Sequence, residues 1–284
     1  MCDEKTKKML NSGRMMAANL HAVGELIYEE VDIPPCGEDE VMVKVKNCGI
    51  CGSDIGRVLA HGTYHFPTIP GHEFAGEVVY DATGEYTGKR VAVFPILPCF
   101  QCDMCAKENY AECRNYDYYG SRRDGGYAQF IAVKKWNLVE LPDNVSFEEG
   151  AMCEPVSVAR HAMKKLDIKE GETLLITGAG PIGLIAGMWA KSFGAARVCY
   201  IDIDEEKIAF AKSLGFEAYD GTWNSVYASF DNDWQESLKA VSEGRLNIRQ
   251  LITHRPSIEE APQTIRMMRD RTEFYCKVVI DSEK

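Results

Sequence analysis

Apolar and polar residues alternate in "EVMVKVKN" (40–47), and "EFAGEVVYD" (73–81), "KRVAVFPIL" (89–97) and "GYAQFIAVKKWNLVELP" (126–142) are further short strand-like runs. A period of two over such short runs predicts half-buried strands, and the last segment is long enough for a pair. Pro34-Pro35 breaks the chain ahead of the first run, and "YCKVVID" (275–281) adds a closing strand. Short antiparallel strands of this kind predict a barrel-like domain.

The pattern changes between Glu172 and Lys207, which read as strand, glycine-rich turn, helix, strand. Gly178-x-Gly180-x-x-Gly183 follows the apolar run Leu174–Ile176 and opens an apolar helix, Ile182–Phe193. Such glycines permit a tight turn and let backbone approach a pyrophosphate, which the helix N-terminus attracts. The next strand, "RVCYID", ends in Asp202, nineteen residues after Gly183. A carboxylate there accepts from both ribose hydroxyls and repels a 2′-phosphate, so NAD is expected over NADP. Asp204 is expected to cap the following helix, Glu205–Leu214. Further on, "WQESLKAVSEGRL" (234–246) reads as a helix with Leu238, Val241 and Leu246 on its apolar side. "SIEEAPQTIRMMRD" (257–270) reads as another, opened by a Ser257-x-x-Glu260 capping box.

Charge and composition narrow the class. The 284 residues hold 32 basic and 43 acidic side chains, a net charge of −11. With no long Lys/Arg run, such a chain repels phosphate backbones, so no nucleic-acid partner is expected. No run of eighteen apolar residues predicts a membrane span, and the first residues lack a secretory pattern, so the cytoplasm is expected. In that reducing setting the eleven cysteines argue for metal or free thiols rather than disulfides.

Four of them fall within fifteen residues: Cys99-x2-Cys102-x2-Cys105-x7-Cys113. C-x2-C spacing points two sulfurs into one tetrahedral site, and four thiolates close a structural zinc cage. An iron–sulfur site shares C-x2-C-x2-C, but the C-P that follows it there is absent. Upstream, "NCGICGSDIGR" (47–57) and "PGHEFAGEV" (70–78) hold Cys51, His72 and Glu73 in glycine-rich settings. These form a candidate mixed S/N/O set with an open position, and Asp54 is a candidate carboxylate to orient the imidazole. On its own, His72 is more often structural than a ligand.

Together with "CEPVSVARHA" (153–162), these motifs resemble the zinc-dependent medium-chain alcohol/polyol dehydrogenases in order and spacing, from about Met16 onward. Within the polyol branch, "ILPCFQC" and "YYGSRRDGGYAQF" resemble the galactitol-1-phosphate 5-dehydrogenases. The resemblance implies an α/β chain: a GroES-like β-barrel catalytic domain (16–165 and 253–284, with a structural zinc lobe at 99–113) and a Rossmann-type parallel-sheet domain (166–252). Residues 1–15 would be an extension, disordered to about residue 14. It implies a catalytic zinc held by Cys51, His72 and Glu73. Glu154 would be a further zinc-site carboxylate, Cys153 a non-ligand and Ser53 the proton relay. It implies NAD bound by Gly178, Gly180, Pro181, Ile182, Gly183, Asp202 and Lys207, two zinc ions per chain, and a homodimer or homotetramer. The implied reaction is hydride transfer to NAD from a polyol or polyol phosphate. Sorbitol, threonine and a zinc-binding homologue without turnover are the alternatives. Arg122 and Arg123 suit a substrate phosphate, or else form an exposed pair or an interdomain contact.

One count disagrees with the family pattern. Gly171 to Ile252 is 82 residues, whereas six parallel strands with crossovers need roughly 130 or more. The third to sixth strands, roughly 60–75 residues by that unit length, are expected to be missing. The junction falls near 220/221, where "GTW" would be a turn leaving the last strand, and the shortfall weakens both cofactor binding and oligomer contacts.

Overall fold

The computed structural model describes residues 4–221 and 233–284. The chain divides into two units, Met1–Met152 with Thr253–Lys284, and Cys153–Ile252. The first begins with helix α1 (Glu4–Ser12), which corrects the expected disordered tail. Thr6 is buried and Met9 and Leu10 pack on the core, so one helical stripe has something to hold it. The 1–15 extension is part of this unit, because β1 (Arg14–Leu20) starts inside it and pairs antiparallel with β2 (Leu26–Asp32).

The expected alternating segments follow as β3 (Glu40–Ile50), which leads into the short helix α2 (Gly52–Gly56), and β4 (Glu73–Asp81). The β3–β4 pairing shifts register at Met42/Val43 and Val45/Asn47, and such bulges bend a sheet. Next come β5 (Arg90–Val93), β6 (Ile96–Leu97), β7 (Asp117–Tyr118), β8 (Phe130–Lys134), β9 (Leu138–Glu140) and α3 (Phe147–Ala151). Ser146 and Glu149 cap α3 reciprocally.

The second unit starts with α4 (Cys153–Leu166). The boundary expected after residue 165 therefore lies at Met152/Cys153. The buried side of α4 explains the shift: Trp189 Nε1 donates to Val156 O at 3.0 Å, and Ser157 Oγ to Ser237 Oγ at 3.2 Å. Then follow β10 (Thr173–Thr177), α5 (Pro181–Ser192), β11 (Arg197–Asp202), α6 (Glu205–Ser213), β12 (Glu217–Asp220) and α7 (Asp233–Ser242). The three strands are parallel in the order β10-β11-β12. The third strand, expected to be lost, is thus present. It is short and polar, and is held by backbone pairing, buried Ala218 and the Arg197–Glu217 ion pair rather than by an apolar run. No fourth strand joins this sheet among the described residues. All but Gly221 of the expected "GTW" turn lies outside the described residues. Leu238 and Leu246 are buried as expected, and Val241 is half-buried.

The chain returns through β13 (Ile252–His254), α8 (Ala261–Asp270) and β14 (Lys277–Asp281). Ser257 and Glu260 exchange the expected hydrogen bonds, but α8 itself starts at Ala261, four residues after Ser257, with Glu260 as its N-cap. The seven-stranded sheet of the first unit runs β13-β14-β3-β4-β5-β9, with β8 also on β3. Val41, Val43, Val78, Phe130, Val133, Val278 and Ile280 form its core, and α8 adds Ile265 and Met268. None of the described helices is long and apolar enough to cross a membrane.

Candidate functional site

The end of β3 and the start of β4 lie side by side, which brings two distant sequence motifs together. Gly49 pairs with Glu73 across the ladder, and a Cβ at Gly49 would sit 2.0 Å from Glu73 Oε2. Only glycine leaves room for that carboxylate. Cys51 then caps α2, while His72 directly precedes β4. One ligand atom each from Cys51, His72 and Glu73 lies within 4.8 Å of the others. Donors on one tetrahedral ion sit roughly 3.3–3.8 Å apart, given bonds of about 2.0–2.3 Å. The set fits such an ion after small side-chain rotations.

Asp54 organises this corner. It is fully buried and accepts from Cys51 N at 2.9 Å, Tyr127 OH at 3.0 Å and Arg57 Nη1 at 3.1 Å. Its Oδ1 lies 3.4 Å from His72 Nδ1. Burial works against its charge, yet His72, Arg57 and the Cys51 N–H outweigh that and bring the Asp54 pKa down to about 2. Burial likewise depresses the His72 imidazolium, and Asp54 more than reverses this, raising it well above its ordinary value. Lys277, buried at the start of β14, forms an ion pair with Glu73 and donates to Ile50 O at 3.2 Å.

Ser53 is exposed, and its Oγ accepts from Arg57 Nη1 at 2.8 Å. A cavity of about 590 Å³ adjoins this group, lined by Arg57, His61, Tyr64, Tyr116, Tyr118 and Ser121 among others. Tyr118 also packs on His72, ring centres 5.6 Å apart. Arg122 is outside the lining but stacks on two rings that form it, Tyr64 at 4.2 Å and Tyr116 at 4.4 Å. Arg123 instead donates to Asp117 Oδ2 at 2.8 Å.

The four-cysteine lobe also converges. Sγ separations are 3.6 Å for Cys102–Cys105, 3.9 Å for Cys102–Cys113 and 4.0 Å for Cys99–Cys105. Four sulfurs about 2.3 Å from one zinc would lie about 3.8 Å apart. Backbone N–H groups of Arg114 and Cys105 lower the Cys102 thiol to about 6, so thiolate forms readily. Between 99 and 113 only Cys105 and Cys113 are buried. The lobe's buried centre is its sulfur cluster, with Phe100 and Tyr110 packed edge-on against Trp136 at its side.

In the second unit, Gly178 N donates to Ile201 O at 2.7 Å with Gly178 at φ +97°. A Cβ at Gly183 would lie 2.0 Å from Gly178 O, so the turn closes only with glycine there. Gly180 caps α5, Pro181 occupies its first turn and Ile182 is exposed. Space beside Gly180 is open, as an anion at a helix N-terminus requires. Asp202 at the tip of β11 accepts from Ala179 N at 2.7 Å and Asp204 N at 3.0 Å. It braces the loop and keeps lone pairs that can accept further hydrogen bonds. Asp204 caps α6 as expected, and Lys207 pairs with it at 3.5 Å. Glu154 lies in the first turn of α4. Cys153 is buried, donates to Trp234 O at 3.7 Å, and burial pushes its thiol far up, which suits a non-ligand.

Sequence reasoning missed Lys277, Arg57 and Tyr127. Lys277 opens an apolar strand at an inward position, which was a readable signal; the partners of Arg57 and Tyr127 arise only from folding.

Residues 37–143 match the alcohol dehydrogenase GroES-like domain. Galactitol 1-phosphate 5-dehydrogenase of Escherichia coli is 44% identical over 183 residues, 63% of this chain and 52% of that protein. A zinc-type alcohol dehydrogenase-like protein of Haemophilus influenzae is 35% identical over 238 residues, 82% of this chain and 67% of that protein. A crystal structure of the E. coli galactitol-1-phosphate dehydrogenase aligns with a TM-score of 0.85 at 29% identity, covering 94% of this chain and 100% of that chain. The chain spans about half the length of the first of these relatives. With the GroES-like match, these motifs in their order and these relatives, the chain belongs to the zinc-dependent medium-chain alcohol dehydrogenase family.

Proposed function

We propose that this chain is an oxidoreductase that moves a hydride from a polyol, best a polyol monophosphate such as galactitol 1-phosphate, to NAD. The observation that carries the reading is the meeting of thiol, imidazole and carboxylate at Cys51, His72 and Glu73. The neighbouring cavity supports it, because its Thr63, Ser121 and tyrosine hydroxyls suit a substrate rich in oxygen.

When bound there, zinc supplies the Lewis acidity that lowers an alcohol's pKa, and NAD supplies the hydride acceptor. The remaining work falls to the chain. Asp54 holds the His72 ring in one orientation. Lys277 balances the buried charge of Glu73. Ser53 Oγ is the group proposed to take the proton from the substrate hydroxyl. The Gly178–Gly183 turn and the N-terminus of α5 receive pyrophosphate, and Asp202 receives ribose.

A second reading is favoured by the second unit, where Leu175 on edge strand β10 is 57% exposed and the sheet has three strands among the described residues. In that reading the chain binds zinc without turnover. Zinc analysis, NADH titration by fluorescence and NAD-linked assays with galactitol 1-phosphate, galactitol, sorbitol and threonine separate the two. Bound zinc, NADH binding and oxidation of one of these alcohols support the oxidoreductase. Zinc without NADH binding supports the second reading.

A further inference from the structure

Arg57 sits at the junction of the candidate metal site and the cavity. Its Nη1 is anchored twice, on Ser53 Oγ at 2.8 Å and on fully buried Asp54 Oδ1 at 3.1 Å. Its Nε and Nη2 make no hydrogen bond with any described residue, and the side chain lines the cavity. Those two N–H groups form the parallel edge that grips two oxygens of one phosphate or carboxylate. The fixed Nη1 end holds the guanidinium plane still, so little side-chain freedom is left to lose on binding.

Charge agrees with geometry. None of the cavity's lining residues is acidic, in a chain of net charge −11. With a divalent ion at Cys51, His72 and Glu73, that ion together with Lys277 and Arg57 outweighs the Cys51, Glu73 and Asp54 charges. Arg122 adds a further cation behind Tyr64 and Tyr116. Its Nε is buried without a hydrogen-bond partner among the described residues. Arg123 is engaged by Asp117 and stands apart.

We infer that Arg57 is the specificity-determining residue that anchors the phosphate of a polyol monophosphate. This rests on the functional reading above and deepens it. The phosphate oxygens take the Nε/Nη2 edge while the polyol chain lies against the tyrosines. No bond is made or broken in this step.

The test is calorimetric titration of the zinc-loaded full chain with galactitol 1-phosphate and with galactitol, for wild type, Arg57→Gln and Arg57→Lys. Zinc content is measured for each protein. Wild type should favour the monophosphate. Arg57→Gln should lose roughly 10- to 100-fold in affinity for the monophosphate, the range for charge-assisted bonds, and less than about threefold for galactitol. Arg57→Lys keeps a cation but not the fork, so it should fall between, and it decides the matter if the glutamine variant does not fold. Equal losses for both ligands would make Arg57 merely a support for Asp54 and overturn the inference, as would unchanged monophosphate binding. Wild type binding both alike would overturn the polyol-phosphate reading itself, a result distinguishable from either.

Discussion

Lys277 and Glu73 form a buried ion pair that joins the closing strand β14 to the first residue of β4. Removing the cation would leave Glu73 charged in a dry site. Lys277→Met should therefore cost about 3–5 kcal/mol, read by urea denaturation of the zinc-free protein. Combining it with Glu73→Gln should recover a large part of that loss.

Asp54 makes stability depend on acid. Its folded pKa of about 2 lies below the unfolded value of about 3.9, so it stabilises the fold above the unfolded value. That stability is lost as pH falls through about 2. In the zinc-free protein, Asp54→Asn should be less stable than wild type by about 2 kcal/mol at pH 6. The gap should narrow as pH falls from 5 to 2, and a gap independent of pH would contradict this.

The cysteine lobe buries little besides its sulfurs. Cys102→Ser should lower zinc by one ion per chain and speed hydrogen exchange across residues 99–113, while the rest of the first unit keeps its protection. Unchanged exchange there would mean that the lobe folds without metal.

Gly183 touches Gly178 O. Gly183→Ala should push the turn open and weaken NADH binding at least about tenfold, roughly 1.4 kcal/mol. Zinc content should stay unchanged, which separates a local defect from unfolding.

Much of this was legible because spacing encodes it. Four cysteines in fifteen residues point to a metal cage, and glycines between an apolar strand and an apolar helix, with Asp202 closing the next strand, point to a phosphate turn. Alternation located β3, and short apolar runs located β4 and β8. What failed was structure held by partners distant in sequence. Helix α1 exists because Met9 and Leu10 find the core, and α4 joins the second unit because Val156 and Ser157 meet Trp189 and Ser237. Strand β12 has no apolar run and is held by its pairing with β11. Arg57 read as the end of a motif, and only the fold set it between Ser53, Asp54 and a cavity.

The most direct measurement is zinc per chain in wild type and in the double variant Cys51→Ser, His72→Ala, with X-ray absorption on both. Wild type should hold two ions, one with sulfur, nitrogen and oxygen neighbours. The variant should hold one, surrounded by sulfur alone. An identical metal count and spectrum in the two proteins would contradict the proposal that Cys51, His72 and Glu73 hold an ion.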